Sequence, residues 1–90
     1  MLVSRQGEWL SAQVGDDEIV MMNADNGNYL GLSKAGARVW ELIETPRALD
    51  DILATLLDEF EVTPETCRRE VDQFLEQLTI HGAVALSPAS

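Results

Sequence analysis

Apolar and polar positions alternate along the first third of the chain and then change to a helical spacing. From Trp9 to Val14, Leu10, Ala12 and Val14 share one face of a strand, and Trp9, Ser11 and Gln13 share the other. Gly15-Asp16-Asp17 reads as a turn. The run Glu18-Ile19-Val20-Met21-Met22-Asn23 then reads as a strand covered on both sides. Asp25-Asn26-Gly27-Asn28 predicts a tight hairpin, because Asn-Gly accepts the positive φ of a type I′ turn. The strand that follows is Asn28–Leu32, with Leu30 and Leu32 on one side and Tyr29 and Gly31 on the other.

Beyond Ser33, a good N-cap, the period lengthens. Ala35, Val39, Leu42 and Ile43 recur at helical spacing until Thr45-Pro46 stops the helix. A second helix carries Leu49, Ile52, Leu53, Leu56, Leu57 and Phe60 on one face, with Asp50 and Asp51 favouring its N-terminal dipole. Thr63-Pro64-Glu65 opens a third helix, which has Cys67, Val71, Phe74 and Leu78 as its core stripe and Gly82 as its stop. Val84-Ala85-Leu86 suggests a last extended segment. The expected fold is α+β, a three-stranded antiparallel sheet followed by three helices, similar to a winged helix-turn-helix. It is expected to form one domain over residues 1–90, with its core about 8–86.

Composition narrows the function. Ninety residues, 46% of them hydrophobic and 24% charged, suit a small folded domain. Six Lys and Arg against 16 Asp and Glu give a net charge of −10. Phosphate-backbone binding rests on Lys and Arg, so this charge argues against nucleic acid as a partner despite the fold. A winged-helix DNA-binding regulator remains an alternative class, and a basic recognition face would reveal it. The start of the chain has no basic segment followed by a long apolar run, and no stretch reaches the ~18 apolar residues of a membrane span. The default compartment is the cytoplasm.

Catalytic chemistry has few candidates. Cys67, the single cysteine, falls on an apolar stripe, and His81, the single histidine, ends a helix where it favours the dipole. Neither a phosphate loop, a dinucleotide fingerprint nor a metal-ligand spacing occurs. The expectation is a protein that is not an enzyme and holds no cofactor or metal.

The stretch Asn28-Tyr29-Leu30-Gly31-Leu32-Ser33, followed by Ala37-x-x-Trp40-Glu41-Leu42, resembles the PqqD-like family. So do Ile52…Leu56, Glu70-Val71-x-x-Phe74-Leu75-x-x-Leu78 and the closing Gly82-x-Val84. The resemblance runs over roughly residues 8–86. It implies a RiPP precursor peptide recognition element, a non-catalytic domain that binds the leader segment of a ribosomally made peptide and presents it to modifying enzymes. Glu44-Thr45-Pro46-Arg47-Ala48-Leu49 stands where the quinone branch carries an Asp-Gly pair and a basic-Thr-Val stretch. The chain is thus more similar to the lasso peptide B1 proteins, which serve a cysteine-protease-like leader peptidase and a separate cyclase. A chaperone of pyrroloquinoline quinone biosynthesis serving a radical SAM enzyme is the alternative.

The residues themselves suggest how such a domain would bind. The 28–32 strand ends the sheet, so an extended peptide can add along its edge. The resemblance implies that Tyr29, Leu30, Gly31 and Leu32 form the strand side. Gly31 either admits a closely approaching peptide or marks a bulge or tight helix packing. On the third helix, Leu75 is expected to be the groove wall, with Arg68 and Asp72 at its rim, and the resemblance implies that Val71 and Leu75 line the pocket. The alternatives are that Leu75 widens the core and that Arg68 and Asp72 form a surface ion pair. Trp40 is either core packing or a partner contact.

Overall fold

The computed structural model describes residues 1–16 and 18–88. Asp17 of the expected Gly15–Asp17 turn lies outside the described residues. In chain order the elements are β1 (Leu2–Arg5), β2 (Trp9–Gln13), β3 (Ile19–Asn23), β4 (Tyr29–Leu32), α1 (Lys34–Leu42), β5 (Arg47–Ala48), α2 (Leu49–Glu59), α3 (Pro64–Ile80) and β6 (Val84–Ser87). The fold is α+β, with three helices and two three-stranded antiparallel sheets, β2-β3-β4 and β5-β1-β6.

The second sheet corrects the expectation of one sheet followed by helices. β1 pairs with β6 from the far end of the chain, Val3 opposite Leu86, and with β5 between the first two helices. Val3 is fully buried, so packing begins ahead of the 8–86 stretch. A four-residue strand has no periodicity long enough to read, and its partners lie about 45 and about 80 residues away. Arg5 joins the sheet to α1: its guanidinium stacks 4.2 Å from the Trp40 ring centroid and donates to the Trp40 carbonyl. Trp40 is buried, which makes it core packing.

The β3–β4 hairpin also differs from expectation. Type I′ needs positive φ at both central residues, yet only Gly27 has it, at +76°. Ala24–Gly27 form a four-residue loop in which the buried Asn23 takes the ordering role. Its Oδ1 accepts from the Asp25 and Asn26 amides at 2.8 and 3.0 Å, and its carbonyl accepts from the Gly27 amide at 2.9 Å. In β3, Met21 and Asn23 are buried while Val20 and Met22 are half-buried. The apolar run therefore marks a strand whose outer face is also apolar, and that outer face is uncovered.

The helices begin and end largely where local chemistry dictates. Ser33 Oγ caps the Gly36 amide at 3.2 Å, and Thr63 Oγ1 caps that of Thr66 at 3.2 Å. α3 closes in a Schellman motif: Gly82, at φ +73°, and Ala83 donate to the Thr79 and Leu78 carbonyls. The core joins Val39, Ile43, Ile52, Leu56, Leu75 and Leu78 from the helices to Val3, Met21, Leu32 and Val84 from the strands.

At the surface, Arg38 on α1 forks onto Glu59 at the end of α2, with Nε–Oε1 at 2.8 Å and Nη2–Oε2 at 2.9 Å. The hydrogen bond from Arg38 holds the Glu59 carboxyl below its ordinary value. A carboxylate depressed on folding stabilises the folded state fully above its unfolded pKa and loses that contribution as pH falls through the folded value. Both groups are solvated, so the contribution is small. Acid titration of the melting temperature should show a small extra loss in the native chain that Glu59→Gln lacks. Parallel profiles for the two proteins would assign the pair no role.

Candidate peptide-binding site

β4 is paired on one side only. Its register with β3 sets Tyr29 opposite Met22, Leu30 opposite Met21, Gly31 opposite Val20 and Leu32 opposite Ile19. The Asn23 amide donates to the Asn28 carbonyl at 2.8 Å, which makes 23–28 a hydrogen-bonded pair. Antiparallel pairs alternate, so Leu30 and Leu32 bond β3 while Tyr29 and Gly31 direct their backbone N–H and C=O outward from the free edge. An added strand needs that row of donors and acceptors. Leu32 is buried, Leu30 packs half-buried against the core, and Tyr29 is 69% exposed.

Gly31 has no internal reason to be glycine. The β3–β4 register runs through it without a bulge, and a Cβ built there meets nothing within 4 Å. Both readings internal to the chain, bulge and tight helix packing, are absent. What remains is open space at a strand edge.

β4 runs directly into Ser33 and α1, and there an open cleft of about 500 Å³ begins. Its walls are the first turn of α1 (Ser33, Gly36) and one flank of α3 (Glu70, Phe74, Gln77), and Val39, Leu56 and Val71 are among the apolar residues lining it. Glu70 is the one charged residue of the lining. Burial, with the Glu70 charge adding, pushes the Cys67 thiol in the lining above its ordinary pKa, which keeps it protonated and poorly nucleophilic.

Gly36 and Phe74 set the shape of this cleft. A Cβ at Gly36 would come within 3.1 Å of Phe74 Cε1 and 3.2 Å of Cζ, so the ring lies against bare helix backbone. Gly36→Ala gains up to about 1 kcal/mol of helix propensity and pushes the half-buried ring into the cleft. Stability should change little while peptide affinity falls several-fold. Unchanged affinity in a titration would show that the ligand does not enter beside Phe74.

Not all the residues expected at the site meet here. Val71 lines the cleft, and Leu32 leads into it through Ser33, while Tyr29, Leu30 and Gly31 stand along the neighbouring strand. Leu75, expected to be a groove wall, is 3% exposed and belongs to the core. Its alternative reading, a wider core, is what the structure contains. Phe74, assigned to the core stripe, packs half-buried against the core and lines the cleft as well. Arg68 and Asp72 lie outside the cleft lining, each more than half exposed, and pair with one another at 3.3 Å. About 100° per residue puts Phe74 some 20° before Cys67 and Leu75 some 80° past it. The two flank the Val71–Leu78 centre almost symmetrically, and a helical wheel alone cannot rank them. Phe74 was therefore missed as a cleft residue, although Gly36 opposite an aromatic would have been a usable signal.

Comparison with known proteins decides the family. The family model described as Coenzyme PQQ synthesis protein D (PqqD) matches residues 18–84. The chain belongs to the PqqD family. A solved structure, TbiB1 in complex with the TbiA(beta) leader peptide, aligns with a TM-score of 0.80 and 27% sequence identity, over 96% of this chain and 99% of that one. No curated protein matches the chain. Both findings agree with the resemblance to PqqD-like RiPP recognition elements seen in the sequence. Among the described residues of this PqqD-family chain, no group of three His, Cys, Asp or Glu side chains is placed to hold a metal ion. No described helix is long and apolar enough to cross a membrane.

Proposed function

We propose that this PqqD-family chain binds the leader segment of a ribosomally made precursor peptide and presents it, as a module without catalytic activity of its own, to the enzymes that process it. The observation that carries this reading is an unpaired strand edge leading straight into an apolar cleft. The leader pairs along the outward-facing backbone of Tyr29 and Gly31, antiparallel to β4, and the bare Gly31 lets it approach. One of its bulky side chains then seats in the cleft beside Phe74, above Val71. Main-chain bonds supply affinity and the cleft supplies selectivity. TbiB1, similar over nearly its whole length, is bound to a leader peptide. The Glu44–Leu49 segment favours a lasso peptide pathway, with a leader peptidase and a cyclase as the enzymes served, and the proposed compartment is the cytoplasm. Arg68 and Asp72, on the opposite flank of α3, are left as a solvated pair.

A fluorescence anisotropy titration against the leader encoded beside this gene tests the reading. Saturable binding near the micromolar range, about −8 kcal/mol, is expected. The quinone precursor peptide, titrated in parallel, should bind far more weakly. Tighter binding of that peptide would move the chain to the quinone branch, and no binding of either to folded protein would reject leader recognition.

A further inference from the structure

The outer face of the β2–β3–β4 sheet is apolar from one edge to the other. The register sets Leu10, Met22 and Tyr29 side by side in one row and Ala12, Val20 and Gly31 in the next. Val14 follows at the end of β2, and none of these seven residues is polar in charge. Leu10 and Val14 are 60% and 59% exposed, and Tyr29 is similarly open. Their inward-facing neighbours Met21 and Leu32 already supply this sheet's share of the core. A sheet with one solvated face ordinarily carries polar side chains on it. Scattered exposed apolar residues mean little, whereas contiguous rows of them mark contact surfaces.

The surrounding charge specifies the partner. Between Arg5 and Lys34 the chain has no Lys or Arg. Glu8 stands before β2, Asp16 and Glu18 at the β2–β3 turn, and Asp25 in the β3–β4 loop, so both ends of the sheet are acidic. We propose that this face docks a protein whose contact patch is apolar and rimmed by Lys and Arg. A second copy of the chain would bring the same acids and another net charge of −10 against the same rim. Like charges would then oppose one another around the contact. Resting on the leader-binding reading, the proposal takes the leader-processing enzyme as the partner. Leu10 lies on β2 and Val14 directly follows it, at the sheet edge opposite β4, so docking there leaves the β4 edge open.

The test titrates the intact chain and its Leu10→Glu and Val14→Glu variants against two probes separately: the leader peptide, and the purified leader peptidase encoded beside the precursor without any leader present. Both side chains are mostly exposed, so the variants should fold and bind the leader as the native chain does. Peptidase affinity should fall about tenfold or more, the scale of losing a central interface residue, and native affinity should weaken as salt is raised. Peptidase binding by a native chain that ignores the leader would retain this face and remove the leader reading. Unchanged peptidase affinity in both variants, or no peptidase binding by the native chain, overturns the docking face. A native dimer in sedimentation that Leu10→Glu converts to monomer overturns it too, by assigning the face to a second copy.

Discussion

Leu75→Glu will unfold this protein rather than empty a binding groove. Leu75 is 3% exposed and packs in the core with Val71 and Leu78 of the same helix. Removing such a leucine to alanine costs about 2–5 kcal/mol through lost transfer energy and the cavity left behind. A carboxylate there adds the cost of a buried charge without a partner. Stability of about 5–15 kcal/mol is usual for a small domain, so the variant should be largely unfolded at 25 °C. Circular dichroism melts will show this, with Leu75→Met, which keeps volume and polarity, melting close to the native chain. A cooperative, native-like melt for Leu75→Glu would put Leu75 back on the surface and reopen it as a groove wall.

Gly31→Pro should abolish leader binding and leave the fold intact. Proline removes a backbone N–H, and at position 31 that donor points away from β3 toward the free edge. Edge strands tolerate proline in this orientation, and the preceding residue, Leu30, is already extended as proline requires. A strand adding along β4 loses that donor and meets the pyrrolidine ring where it should pair, and the expected loss is tenfold or more in affinity. Leu30→Pro makes the informative contrast, because its N–H belongs to the β3–β4 ladder, so it should lower the melting temperature as well. If folded Gly31→Pro binds the leader with native affinity, the peptide does not add along this edge and must be held by the cleft alone.

How legible was each part? Gly31 was visible as an edge glycine from its place between Leu30 and Leu32, but its freedom from internal contacts needed the register and the space around it. The N-caps Ser33 and Thr63 and the Gly82 stop depend on residues within a few positions of one another, and all three stand where local chemistry puts them. Phe74 and Leu75 flank one stripe at nearly equal angles, so the helical period does not tell which of them faces the cleft. Only the packing of α3 against the rest of the core selects between them.

By itself, the sequence determined the three helices, the caps of the first and third, the β2–β3–β4 order and the family, because each rests on local periodicity, capping chemistry or ordered motif spacing. Tertiary structure alone decided that β1 joins the two ends of the chain and which flank of α3 opens into the cleft. Those outcomes depend on contacts between residues far apart in the chain, where burial of one side chain against another settles what local propensity leaves balanced.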